Sequence, residues 1–147
     1  MLFHAYLRNG IAYIPTVVRL QKGGAYMDVE PVAVEPVTNT DGLRRALSDA
    51  FARKNAFVPN LTKNNWPKPI LLKYSGAKTW SAFVRNASLW SIDEENGIYS
   101  ITQYKEHPDG YLVRDKNKKI VFSFDTPADE VINGMIAILQ EASQHGQ

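Results

Sequence analysis

No cysteine occurs anywhere in the 147 residues. Disulfides, thiolate nucleophiles and cysteine-ligated zinc are therefore excluded, a usage that fits a reducing compartment. Histidine is almost as scarce. His4, His107 and His145 are the three present; none share a metal-ligand spacing, and no H-E-x-x-H motif exists. The chain also lacks G-x-S-x-G, a P-loop and G-x-G-x-x-G, and Gly23-Gly24 is too short to cradle a phosphate. No apolar run approaches the roughly 20 residues that cross a bilayer. Met1 to Ala5 shows no basic region followed by an apolar leader. The expectation is a cytoplasmic protein with no membrane role, no cofactor, no metal and no catalytic constellation.

What is present argues for a real core. At 44% hydrophobic and 22% charged residues, the composition is that of a globular domain, and a chain of this length buries about two thirds of its unfolded surface. One α+β domain spanning 1–147 is expected, with 144–147 as a disordered tail.

Turn and cap chemistry orders the elements. Leu2 to Arg8 and Ile11 to Leu20 flank Asn9-Gly10, a two-residue hairpin signal in which both positions accept positive φ. After Lys22-Gly23-Gly24, a third strand runs from Ala25 to Val37. Pro15, Pro31 and Pro36 donate nothing to a ladder, so these strands should lie at edges or carry bulges. The oxygen side chains of Thr38 to Asp41 can cap a helix whose stripe is Leu43, Ala46, Leu47, Ala50 and Phe51. An irregular stretch rich in Asn, Pro and Lys follows from Phe57 to Pro69. Ile70 to Tyr74 reads as a short buried strand, and Thr79 caps a short helix with Trp80 and Phe83 inward. Four further strands follow: Ser88–Asp93, Gly97–Lys105, Tyr111–Arg114 and Lys119–Phe124. The last element is a helix with Thr126 as N-cap, Pro127 at its first position, and Asp129 and Glu130 complementing the dipole. The order is βββαβαββββα: one or more antiparallel sheets from two meanders, with helices packed on them.

Charge is uneven. Residues 44–85 hold nine bases against Asp49 alone, a net of +8, while the remainder carries −6. This asymmetry marks either a bipolar surface for a charged partner or poles that folding interleaves and cancels.

Three clusters are candidates for chemistry. Asp28 and Glu30, two apart on a strand, share a face, as a solvated edge strand or an acid pair would. His4 joining them would give an enzymatic site; otherwise it is a structural histidine. Asp93-Glu94-Glu95 is a solvated turn or an acidic contact patch. Lys63, Trp66, Lys68, Lys73 and Lys78 interleave charge for phosphates with a ring for base stacking.

Ile14-Pro15-Thr16, the run Gly24 to Val32, Trp80-Ser81-Ala82-Phe83 and Trp90-Ser91-Ile92 resemble segments of bacterial contact-dependent growth inhibition immunity proteins. The resemblance implies a cytosolic, non-enzymatic protein that binds and blocks the toxin domain delivered by a neighbouring cell. It also implies a fold like the Whirly single-stranded DNA-binding fold, which some such proteins resemble. Because nuclease toxins are commonly basic, Asp28, Glu30, Asp93, Glu94 and Glu95 are the expected partner contacts. The alternative is a single-stranded nucleic-acid-binding domain using Lys63, Trp66, Lys68, Lys73 and Lys78.

Overall fold

A computed structural model of the chain describes residues 1–145, with Lys63 described by its backbone alone. Asn9 and Gly10 take φ of 53° and 76°, and the turn they make sets Arg8 opposite Ile11. It joins β1 (Leu2–Arg8) to β2 (Ile11–Leu20), and β3 (Tyr26–Pro36) returns beside β2. The prolines act as their missing N–H requires: β3 is an edge strand, and the β2–β3 register shifts between Ile14 and Thr16, at Pro15. Helix α1 (Thr40–Arg53) begins where Asn39 Oδ1 accepts the Gly42 N–H at 3.0 Å. The two-residue β4 (Phe57–Val58) pairs parallel with the end of β2. A 3-10 turn at Lys63–Asn65 leads to the short helices α2 (Leu71–Ser75) and α3 (Trp80–Arg85). Then come β5 (Ala87–Glu95), β6 (Ile98–Glu106), β7 (Leu112–Val121) and α4 (Ala128–Gln144).

Pairing of β1 with β5 joins the two meanders edge to edge, giving one antiparallel sheet in the order β3-β2-β1-β5-β6-β7, with β4 beside β2. This is an α+β architecture with an open sheet and helices on both of its faces. Strand alternation decides which helix each face receives. Phe3, Ala5, Leu7, Ala12, Ile14, Trp90, Ile92 and Ile101 point to one face, where they pack with Leu43 and Leu47 of α1 and Met135 and Leu139 of α4. Each large aliphatic or phenylalanine side chain withdrawn from water here contributes about 1.5–3 kcal/mol before entropy is charged against it, and this layer holds the larger of the two buried clusters. The opposite face presents Tyr6, Tyr13 and Leu89 to Leu71 of α2 and Phe83 of α3.

Three expected elements differ. Ile70 to Tyr74 is not a strand: residues 71–75 are helical, because the Pro69 carbonyl accepts from Leu72 N and Gly76, at φ 77°, closes the turn with its N–H on Leu72 O. A five-residue apolar run carries no period that separates strand from helix. The two strands expected at Tyr111–Arg114 and Lys119–Phe124 are one strand, β7, which begins at Leu112 and ends at Val121, since Lys116-Asn117 forms an irregularity, with the β6–β7 register shifting between Thr102 and Tyr104, rather than a reversal. Thr126 does not cap α4; its hydroxyl donates to Ser123 O at 2.7 Å, and the helix starts after Pro127. Helix α4 runs through Gln144, which was expected in the tail, while Gly146 and Gln147 lie outside the described residues.

The sheet also divides the basic segment. Arg44, Arg45 and Arg53 ride on α1 over one face, whereas Lys73, Lys78 and Arg85 lie with α2 and α3 over the other. The +8 segment is therefore not one pole.

Candidate functional site

On the second face, the segment holding α2 and α3 packs over β1–β3 and reaches β5, where Leu89 joins the cluster of Tyr6, Tyr13, Leu71 and Phe83. Between segment and sheet lies a cleft of about 290 Å³, lined by Tyr6, Tyr26 and Asp28 from the strands and by Trp66, Lys68 and Trp80 from the segment. Its floor follows from register. Alternation along β1 puts His4 and Tyr6 on the same side, and Asp28 stands opposite Val17 with its carboxylate reaching both. Tyr6 donates its hydroxyl to Asp28 Oδ2 at 2.5 Å, and His4 Nδ1 lies 2.6 Å from Oδ1. Tyr6 is only 3% exposed. Burial, reinforced by the charge and hydrogen bond of Asp28, pushes its hydroxyl well above the ordinary 10.0. Tyr6 therefore keeps its proton and remains a donor. The Asp28 side chain retains 16% exposure. Trp80 meets Tyr6 edge-on (6.2 Å between centroids, 81°) and stacks on Phe83 (5.3 Å, 19°). The rings are thus held in fixed relation to the carboxylate.

Glu30 shares the face of Asp28 but turns to α2 instead. It accepts from Lys73 Nζ and Tyr74 Oη, both at 2.7 Å. The Lys73 hydrogen bond, then that of Tyr74, holds its carboxyl below the usual range, and the same pairing raises Lys73. The enzymatic grouping of His4, Asp28 and Glu30 is therefore incomplete: the first two meet, and the third is engaged elsewhere. For the nucleic-acid set, Trp66 is 55% exposed at the rim of the cleft and Lys68 is exposed beside it. Lys73 is paired with Glu30, Lys78 stands exposed outside the cleft lining, and the Lys63 side chain is not described.

The remaining acids cluster on β5, separated from β3 by β2 and β1. Asp93 accepts from Arg114 Nη2 at 3.0 Å and Ser91 Oγ at 3.1 Å. Glu94 accepts the Gly97 N–H and lies 3.8 Å from the N-terminal ammonium, while Glu95 is exposed beside the Asn96-Gly97 turn. Asp93, Glu95, Ser100, Arg114 and Lys119 border a second depression of about 330 Å³. The five acids thus form two groups. Sequence reasoning missed Tyr6, Tyr26 and Arg114. Tyr6 had a signal, its even spacing from His4 on β1, but nothing in the chain announced that Asp28 would lie across from it. Among the described residues, no three His, Asp or Glu side chains gather to hold a metal ion, and no helix is long and apolar enough to cross a membrane.

No protein-family model and no curated protein matches the chain. Solved structures do. A protein of unknown function from Neisseria meningitidis superposes with a TM-score of 0.65 at 16% identity, covering 96% of this chain and 93% of its own. A chain of the CdiA-CT/CdiI toxin and immunity complex from Yersinia pseudotuberculosis superposes with a TM-score of 0.63 at 12% identity, covering 97% and 95%. The likeness is one of fold. It extends over nearly the whole of all three chains, so what is shared is the overall fold and not a local motif.

Proposed function

We propose that this protein is an immunity protein of a contact-dependent growth inhibition system: a non-enzymatic cytoplasmic protein that binds a cognate toxin domain and neutralises it. The observation that supports this most is the near-complete fold correspondence with a chain of a toxin and immunity complex. The failure of His4, Asp28 and Glu30 to converge in one pocket favours the immunity side of such a pair. Asp28 pairs with His4 and Tyr6, one at each oxygen, whereas Glu30 is held apart from them by Lys73 and Tyr74. The surface suits a basic partner at two places, the Asp28–Glu30 end of β3 and the Asp93–Glu95 end of β5, because carboxylates steer a positively charged domain into encounter. A toxin domain that acts on nucleic acid carries such a charge for its own substrate. The test is titration of the purified toxin domain of any candidate toxin gene that adjoins this one: stoichiometric loss of toxin activity supports the proposal, and absence of binding at micromolar concentrations sinks it.

The second reading, a single-stranded nucleic-acid binder, draws on Trp66 and Lys68 at one rim. Against it stand the division of the basic segment between two faces and the neutralisation of Lys73 by Glu30. Affinity for a labelled single strand that falls steeply with salt and weakens in Trp66→Ala would favour it over the immunity reading.

A further inference from the structure

Resting on the reading of the chain as a toxin-binding protein, we propose that the cleft over β1 and β3 is a cation pocket that receives one arginine or lysine side chain of the toxin domain. Its walls and floor match that chemistry. Four rings, those of Tyr6, Tyr26, Trp66 and Trp80, line it together with the Asp28 carboxylate. Aromatic faces carry a negative quadrupole and attract a cation placed over them, most of all where water is displaced. Asp28 adds a full charge at depth. His4 and Tyr6 each take one of its oxygens, and each oxygen keeps a further acceptor direction that a guanidinium or ammonium N–H can use.

Arg19 already places its guanidinium 5.6 Å from the Tyr26 ring and equally over Phe57, while the Asp28 carboxylate is bonded by His4 and Tyr6. Lys73 is committed to Glu30 at 2.7 Å, and Lys68 is exposed at the rim, where its ammonium stays hydrated. Other occupants fit less well. A phosphate or a nucleotide stacked on Trp66 would bring negative charge against Asp28. A purely apolar group would bury the carboxylate without adding a donor. A planar guanidinium satisfies both components, stacking on an indole while donating to the carboxylate. Trp66, exposed in an irregular segment between Pro59 and Pro69, is the wall that contributes least to the fold and most to the pocket's mouth.

The experiment has two arms. The purified protein is titrated with N-acetylarginine amide and with its neutral isostere N-acetylcitrulline amide, read by tryptophan fluorescence. A saturable response to the arginine probe is expected, about tenfold weaker for citrulline and about tenfold weaker again for arginine on Trp66→Ala. No saturable response, or an equal response to citrulline, overturns the pocket. In the second arm the toxin domain itself is titrated: Trp66→Ala and Asp28→Asn should each weaken it about tenfold, with the urea midpoint of Trp66→Ala unchanged. Toxin affinity unaltered in both variants overturns the occupant named here while leaving the toxin-binding reading intact. Failure of the wild-type protein to bind any toxin, with the arginine probe still saturating, overturns that reading and with it the occupant, but not the pocket.

Discussion

Replacing Tyr6 by Phe removes one oxygen and leaves everything else about the ring in place. The ring's edge contacts with Phe83 (5.8 Å) and Trp80 (6.2 Å) survive, so no cavity opens and the cost isolates a single hydrogen bond to a carboxylate. A hydrogen bond to a charged group contributes about 1.5–3 kcal/mol, and in a domain of this size each kcal/mol moves the melting temperature by about 2–4 °C. Urea unfolding at pH 7 should therefore show a loss of about 1.5–3 kcal/mol with an unchanged m-value, and the melting temperature should fall by about 3–12 °C. The alkaline limb gives an independent check. The folded state holds the Tyr6 proton well above 10.0, so its contribution is complete below that pH. As the pH rises past it, the unfolded chain releases a proton that the folded chain retains, and stability falls. The phenylalanine variant lacks this part of the slope, so the two stability curves should converge above about pH 10. A loss under about 0.5 kcal/mol, the ordinary range of a surface substitution, or parallel curves at alkaline pH, would refute the assignment of Tyr6 as the proton-bearing donor to Asp28.

Asn55 accepts from Leu2 N and donates to Leu2 O and Val17 O at 2.8–2.9 Å, tying the start of β1 to β2; Asn55→Ala should lower unfolding free energy by about 2–4 kcal/mol in urea. Gly97 sits at φ +82°, and a Cβ there would stand 2.8 Å from Phe124 Cε2, so Gly97→Ala should cost about 1–2 kcal/mol by the same assay, with Phe124→Ala relieving only the steric part. Glu30→Gln should leave the urea midpoint at pH 7 nearly unchanged, because its pair with Lys73 is solvated. What contribution exists belongs to the ionised carboxylate, whose titration lies below the usual range. It is present at neutral pH and lost as pH falls through that titration, so variant and wild type should coincide in acid.

The parts of the fold written locally were legible. Asn9-Gly10 specifies a turn that needs two positive φ values and has them, Thr79 caps α3 through the Ala82 N–H, and three missing proline N–H groups forecast an edge strand and a bulge. Elements whose identity depends on distant partners were not. Ile70 to Tyr74 could pair as a strand only if a sheet edge were waiting, and the chain instead lays that segment across the face of β1–β3. Thr126 lost its capping role to the Ser123 carbonyl three residues back, a competition between two local bonds that composition does not rank. For the site, Asp28 and Glu30 were correctly placed on one face, yet their partners sit 22 to 44 residues away in sequence. Their fates diverge because of those partners. The basic segment looked like a pole only because sequence order ignores which side of a sheet each helix takes.

The most direct test of the account is growth. Cells carrying an inducible copy of a candidate toxin domain from an adjoining gene are induced with and without this protein. The account predicts that growth stops without it and continues with it, and that protection weakens in Trp66→Ala while expression and the melting temperature hold. Arrest that is identical in the presence and absence of a soluble, folded protein would contradict it.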